Sequence, residues 1–200
     1  MSDAPLIAHS IAEARLYLMV TPCKSCRRGP LQPSGLRRLH ESGGVRVVAI
    51  DTTCDCAHAD TFTFRITADS AVNEPNVPAL INVSPQRSRI IDVAQWLTLF
   101  RMTAEEAGRE SDKVQARELW LEAAQCLEEA LKFFDDAEND LPPEDAFYHA
   151  ESRVRLRENP EQFSRSRLIG LRAKLPVRGA AVPRVSTSGP KPQHKEGQFP

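Results

Sequence analysis

Between positions 14 and 21 the chain alternates like a strand with one buried face. Ala14, Leu16, Leu18 and Val20 fall on one side, Arg15, Tyr17, Met19 and Thr21 on the other, and Pro22 ends the run. Alternating stretches at 36–41 and 45–51 flank Ser42-Gly43-Gly44, where the glycines accept the positive φ of a tight turn, so these two segments are expected to pair as a hairpin. Phe62, Phe64 and Ile66 then alternate with Thr61, Thr63 and Arg65, which predicts a fourth strand. The pattern as a whole predicts a small antiparallel β domain over residues 10–70.

The period then changes. Pro75, Pro78 and Pro85 interrupt any helix or central strand, so 71–91 reads as a connector, with room for a short edge strand at 79–83. Asp92-Val93-Ala94-Gln95 has the form of a capping box and opens a helix whose apolar side is Trp96, Leu97, Leu99, Phe100 and Ala104. A second helix, expected over 112–138, carries Ala116, Leu119, Trp120, Ala123, Leu127, Ala130, Leu131 and Phe134 as a broad stripe. Pro142-Pro143 and Asn159-Pro160-Glu161-Gln162 mark two further helix starts, with Phe147, Ala150, Val154 and Leu156 as the core side of the third helix. Residues 92–175 are therefore expected to form an antiparallel helical hairpin with two added helices, and 176–200, rich in Pro, Gly, Ser and basic residues, a disordered tail. The fold class is α+β.

Charge changes this picture only locally. The chain is nearly neutral at a formal −1, but 101–145 is strongly acidic and 146–200 strongly basic. Two such segments either neutralise each other or leave a basic arm for an acidic partner.

Cysteine placement changes it more. Four of the five cysteines form two tight pairs, Cys23-Lys24-Ser25-Cys26 and Cys54-Asp55-Cys56, separated by the predicted hairpin. Zinc favours four tetrahedral thiolate or imidazole ligands, and two short turns brought together by a hairpin supply them readily. The candidate metal ligands are Cys23, Cys26, Cys54 and Cys56, and the candidate cofactor is a structural Zn²⁺. His58, two residues past Cys56, is a possible substitute ligand. Cys126 lies inside the apolar stripe of the second helix and reads as a buried small side chain.

The segments TPCKSCRRGP and TTCDCAHAD, with the strand order around them, resemble the zinc-ribbon class of small β domains. The resemblance covers about 60 residues and implies a zinc-ribbon-like sheet folded around the metal. Two departures stand out. Arg27 and Arg28 occupy the place after the second cysteine where zinc knuckles commonly have Gly, and the second pair is spaced C-x-C.

Signatures of catalysis are missing: the chain has no P-loop, no dinucleotide-binding glycine pattern, no G-x-S-x-G and no H-E-x-x-H. No catalytic residue is expected, and the chain reads more readily as a non-enzyme. Three functional readings remain. The first is a zinc-binding scaffold or adaptor whose helical domain meets a protein partner. The second is a nucleic-acid-binding ribbon using Arg27, Arg28, Arg37, Arg38 and Arg46 together with the basic C-terminal segment. The third is a thiol redox protein using Cys23 and Cys26, with neighbouring cations lowering a thiol pKa. Charged residues interrupt every apolar run near the N-terminus and no stretch is long enough to span a bilayer, so a cytoplasmic protein without membrane contact is expected.

Overall fold

A computed structural model describes residues 4–67, 81–134 and 139–177. It is an α+β protein, a four-stranded sheet followed by helices. The strands are β1 (Leu6–Ala8), β2 (Gln32–Ser42), β3 (Val45–Thr53) and β4 (Ala59–Ile66), in the order β1-β4-β3-β2. The hairpin forms as expected: Ser42 pairs with Val45, and Gly43 and Gly44 take φ of +57° and +76° in a two-residue loop. The β3–β4 pair is antiparallel too, with Val48 opposite Phe64 and Ile50 opposite Phe62.

The expected strand at 14–21 is instead a helix, α1 (Ile11–Val20). Ser10 caps it by accepting the Glu13 amide at 2.9 Å, while the Glu13 carboxylate reaches back to the His9 amide. The alternation does not mark a strand because Tyr17 and Met19, on the face opposite Ala14, Leu16, Leu18 and Val20, are themselves half-buried and packed against the core. A helix contacting neighbours on two sides needs apolar residues around most of its girth. Tyr17 meets Phe62 and Phe64 edge-on, at ring-centre distances of 6.3 and 6.0 Å, while other residues of α1 meet the first long helix. The sheet also gains β1, a three-residue strand parallel to β4 that places Leu6 beside Phe64, so the sheet is mixed rather than purely antiparallel.

The capping box opening α2 (Val93–Arg109) is present in both directions: Gln95 N–H donates to Asp92 at 2.9 Å and Asp92 N–H donates to Gln95 Oε1 at 3.0 Å. Helix α3 (Lys113–Leu131) is capped by Asp112, and α2 and α3 pack against each other. The second expected helix continued to 138, but α3 stops at Leu131, and 135–138 lie outside the described residues. Helices α4 (Ala150–Glu158) and α5 (Arg165–Arg172) follow, each preceded by a 3₁₀ turn, Glu144–Ala146 and Pro160–Phe163. Asn159 makes no side-chain cap; Ser164 caps α5 instead, accepting the Arg167 amide. Phe147 is buried as expected, whereas Ala150 and Val154 are exposed. Residues 81–83 form no strand, and the rest of that expectation, like the tail from 178 onward, lies outside the described residues.

Buried side chains of the sheet, of α1 and of the later helices belong to one contiguous cluster. Phe64, Ile50 and Leu18 fill its sheet side; Trp96, Leu99, Leu127, Phe133, Phe147, Phe163 and Leu168 fill its helical side. Cys126 is fully buried within it. Arg172 of α5 pairs with Glu128 of α3 at 2.6 Å, one point where the basic and acidic segments neutralise each other. Among the described residues, no helix is long and apolar enough to cross a membrane.

Candidate metal centre

The two cysteine turns are built alike. In the first, Cys23 N–H donates to Arg28 O at 2.8 Å and Arg27 N–H to Cys23 O at 2.9 Å; in the second, Cys54 N–H donates to His58 O at 2.9 Å and Ala57 N–H to Cys54 O at 2.8 Å. The residue after the second cysteine is left-handed in both, Arg27 at φ 60° and Ala57 at φ 64°. This is the position where zinc knuckles usually carry Gly. Arg27 and Ala57 accept a conformation that costs a side chain roughly 1–2 kcal/mol, so the turn geometry is kept without glycine.

Tertiary structure brings the turns together. The second turn is the tip of the β3–β4 hairpin, since Thr53 pairs with Ala59 across it. The first turn follows α1, and Leu31 N–H then donates to Leu18 O at 3.2 Å, folding the chain back so that Gln32 enters β2 opposite Thr53. The turns thus meet at one end of the sheet.

The sulfurs of Cys23, Cys26, Cys54 and Cys56 all lie within 4.8 Å of one another. The nearest pairs cross between turns, Cys23 to Cys56 at 3.7 Å and Cys26 to Cys54 at 3.6 Å. A disulfide needs about 2 Å, and all four thiols are free. A tetrahedron of sulfurs about 2.3 Å from a central ion has edges of about 3.8 Å, close to these separations, so the donor set fits a tetrahedral thiolate-bound ion. The four cysteines are positioned to hold a metal ion. His58 is not part of the group; its carbonyl closes the second turn.

The electrostatics are those of a cluster rather than of four separate thiols. The Cys26 and Ser25 amides donate to the Cys23 sulfur and bring its pKa down to about 6 against the opposing effect of burial. The Cys56 amide acts the same way on Cys54, but burial and the other sulfurs outweigh it and push Cys54 up to about 12. Sulfurs this close repel as thiolates, so without a cation the group keeps most of its protons; a divalent cation removes that restraint. Lys24 lies beside the site, paired with Asp60 at 2.7 Å and 5.5 Å from the centre of the Phe62 ring. Burial alone would raise Asp60, yet Lys24 and the Thr61 amide hold it below the usual carboxylate range. This bridge ties the first turn to β4.

Most of the hairpin arginines are already engaged. Arg37 pairs with Asp51 at 2.9 Å, and Arg38 and Arg46 both pair with Glu41, at 3.0 and 3.2 Å. Sequence reasoning did not assign a role to the buried polar group around Glu13, His9 and Glu129; the Ser10-x-x-Glu13 spacing was the signal that would have found its first member.

No protein-family model matches this chain, and neither the curated proteins nor the solved structures compared with it provide a match.

Proposed function

We propose that the chain is a zinc-stabilised scaffold, in which Cys23, Cys26, Cys54 and Cys56 bind one structural Zn²⁺ and the helical part offers a surface to a protein partner. The observation that carries the metal reading is the convergence of four sulfurs from two separate turns within 4.8 Å. Zinc is favoured over other divalent ions because an all-thiolate tetrahedral set suits it, and a closed four-sulfur shell leaves no open position for substrate. The metal is therefore structural, and it locks the α1–β2 connection to the β3–β4 hairpin.

The interaction reading is supported by large apolar side chains left exposed on the helical part, Leu141, Val154 and Ile169. Metal analysis of protein purified without chelator is expected to give one zinc per chain, falling to zero in Cys26→Ser/Cys54→Ser. A zinc-free protein would overturn the metal reading. Crosslinking of the full chain in its native extract is expected to capture a partner that Val154→Asp and Ile169→Asp release. Capture of nothing, or retention by both variants, would overturn the interaction reading and leave the metal reading standing.

A further inference from the structure

A cavity of about 720 Å³ opens between the end of α1, the first cysteine turn, α2 and α4. Its apolar lining includes Tyr17, Met19, Pro30 and Met102. Its size lies within the range of small-molecule sites. The cavity has no part in the metal centre's coordination, although Arg27, next to Cys26, forms part of its wall.

The cavity's charge is specific. Arg155, half-buried in its wall, spends one guanidinium nitrogen on Ala94 O at 3.2 Å and Thr98 Oγ1 at 2.9 Å. Among the described residues it has no carboxylate in ion-pair range, and its other nitrogens have no hydrogen-bond partner. Burial and the like charge of Arg101 both disfavour its cation, and Asp92, whose charge favours it, already accepts from the Gln95 and Tyr148 amides. Arg27 adds a second cation without a side-chain partner among the described residues, and the His149 imidazole also lines the cavity. Among the described residues Glu151 is the only acid in the lining, and it is exposed, where its field is screened more than that of half-buried Arg155. A half-buried cation with unused donors in the wall of a partly apolar cavity calls for an anion with an apolar body.

We propose that this cavity is a binding site for a small organic anion, a carboxylate or phosphate ester carried on a flat apolar group, with Arg155 receiving the anionic oxygens and Tyr17, Met19, Pro30 and Met102 covering the apolar part. Such a site would bind its anion independently of any partner of the helices and without catalysis.

The test uses the full chain as purified and three probes of one shape: 1-naphthoate, 1-naphthyl phosphate and the neutral 1-naphthylmethanol. Amide chemical shifts are followed by NMR during titration. At least one anion is expected to saturate below millimolar concentration and to move amides of the first cysteine turn, α2 and α4, with the neutral probe at least about tenfold weaker. Whichever anion binds better identifies the oxygen group. Arg155→Gln is expected to lose about tenfold or more of that affinity while keeping wild-type metal content. Should it not fold, Arg27→Gln, altered on an exposed side chain, is expected to weaken the anion and leave the neutral probe unchanged. Equal binding of charged and neutral probes, shifts confined to other surfaces, or absence of binding by either anion overturns the proposal.

Discussion

Cys26 and Cys54, 28 positions apart in the chain, hold their sulfurs 3.6 Å from one another. Each belongs to a turn closed by its own backbone hydrogen bonds, so the turns are local products while their meeting is not. A metal ion bound here would fasten the turn after α1 to the tip of the β3–β4 hairpin, and its loss would be felt first by the sheet.

Cys26→Ser or Cys54→Ser is therefore expected to abolish stoichiometric zinc and to lower stability by several kcal/mol, since metal binding energy at such a site is folding energy. Chelation of the wild type is expected to do the same selectively. Amides of β2, β3 and β4 should lose protection from hydrogen exchange while those of α2 and α3 keep theirs. Uniform loss across sheet and helices would mean that the ion supports the whole core rather than the sheet.

Ala57 has φ of 64°, a conformation that glycine adopts freely. Ala57→Gly is expected to raise stability by about 0.5–1 kcal/mol with zinc bound, the relief of strain exceeding the added chain entropy. Denaturant midpoints read the change. The reverse change at the hairpin, Gly44→Ala at φ +76°, is expected to lower stability.

Glu129 is buried beside α1 and the 81–91 segment. Burial lifts its carboxyl; Lys132 at 2.6 Å and Asn82 pull it back, and the neighbouring Glu13, itself raised by burial, lifts it again, to about 7. A folded-state pKa above the unfolded 4.5 means that stability is fully present below about 4.5 and is lost as pH rises through about 7. Relative to wild type, Glu129→Gln should gain stability between about pH 5 and about pH 8, by at most on the order of 3 kcal/mol. Taking the difference between the two proteins removes the opposite pH dependence of thiolate–metal binding. A difference independent of pH would assign the ionisation elsewhere.

Asp92 is fully buried and accepts from two amides, Gln95 at the start of α2 and Tyr148 before α4. Asp92→Ala leaves both donors unsatisfied and is expected to cost about 2 kcal/mol or more. Asp92→Asn keeps an acceptor and should cost less. Thermal unfolding of the two variants side by side measures the gap.

Features carried by neighbouring residues were legible in the sequence. The Gly43-Gly44 hairpin, the β4 alternation, the Asp92–Gln95 capping box, the buried Cys126 and the two cysteine pairs all depend on contacts a few residues apart or on a repeat along one element. Helix α1 is not legible in the sequence because it packs against the aromatic pair on β4 on one side and α2 on another, so apolar residues surround most of it and helical periodicity is weak. Strand β1, three residues long, has no period to read and exists only because β4 offers it a parallel edge. Sequence alone determined which residues could bind metal; the return of the chain at Leu31 and the pairing of Gln32 with Thr53 decided that they meet. Likewise, the cavity walled by α1, α2 and α4 could not be foreseen from Arg155, because an arginine acquires a missing partner only after burial has fixed what surrounds it.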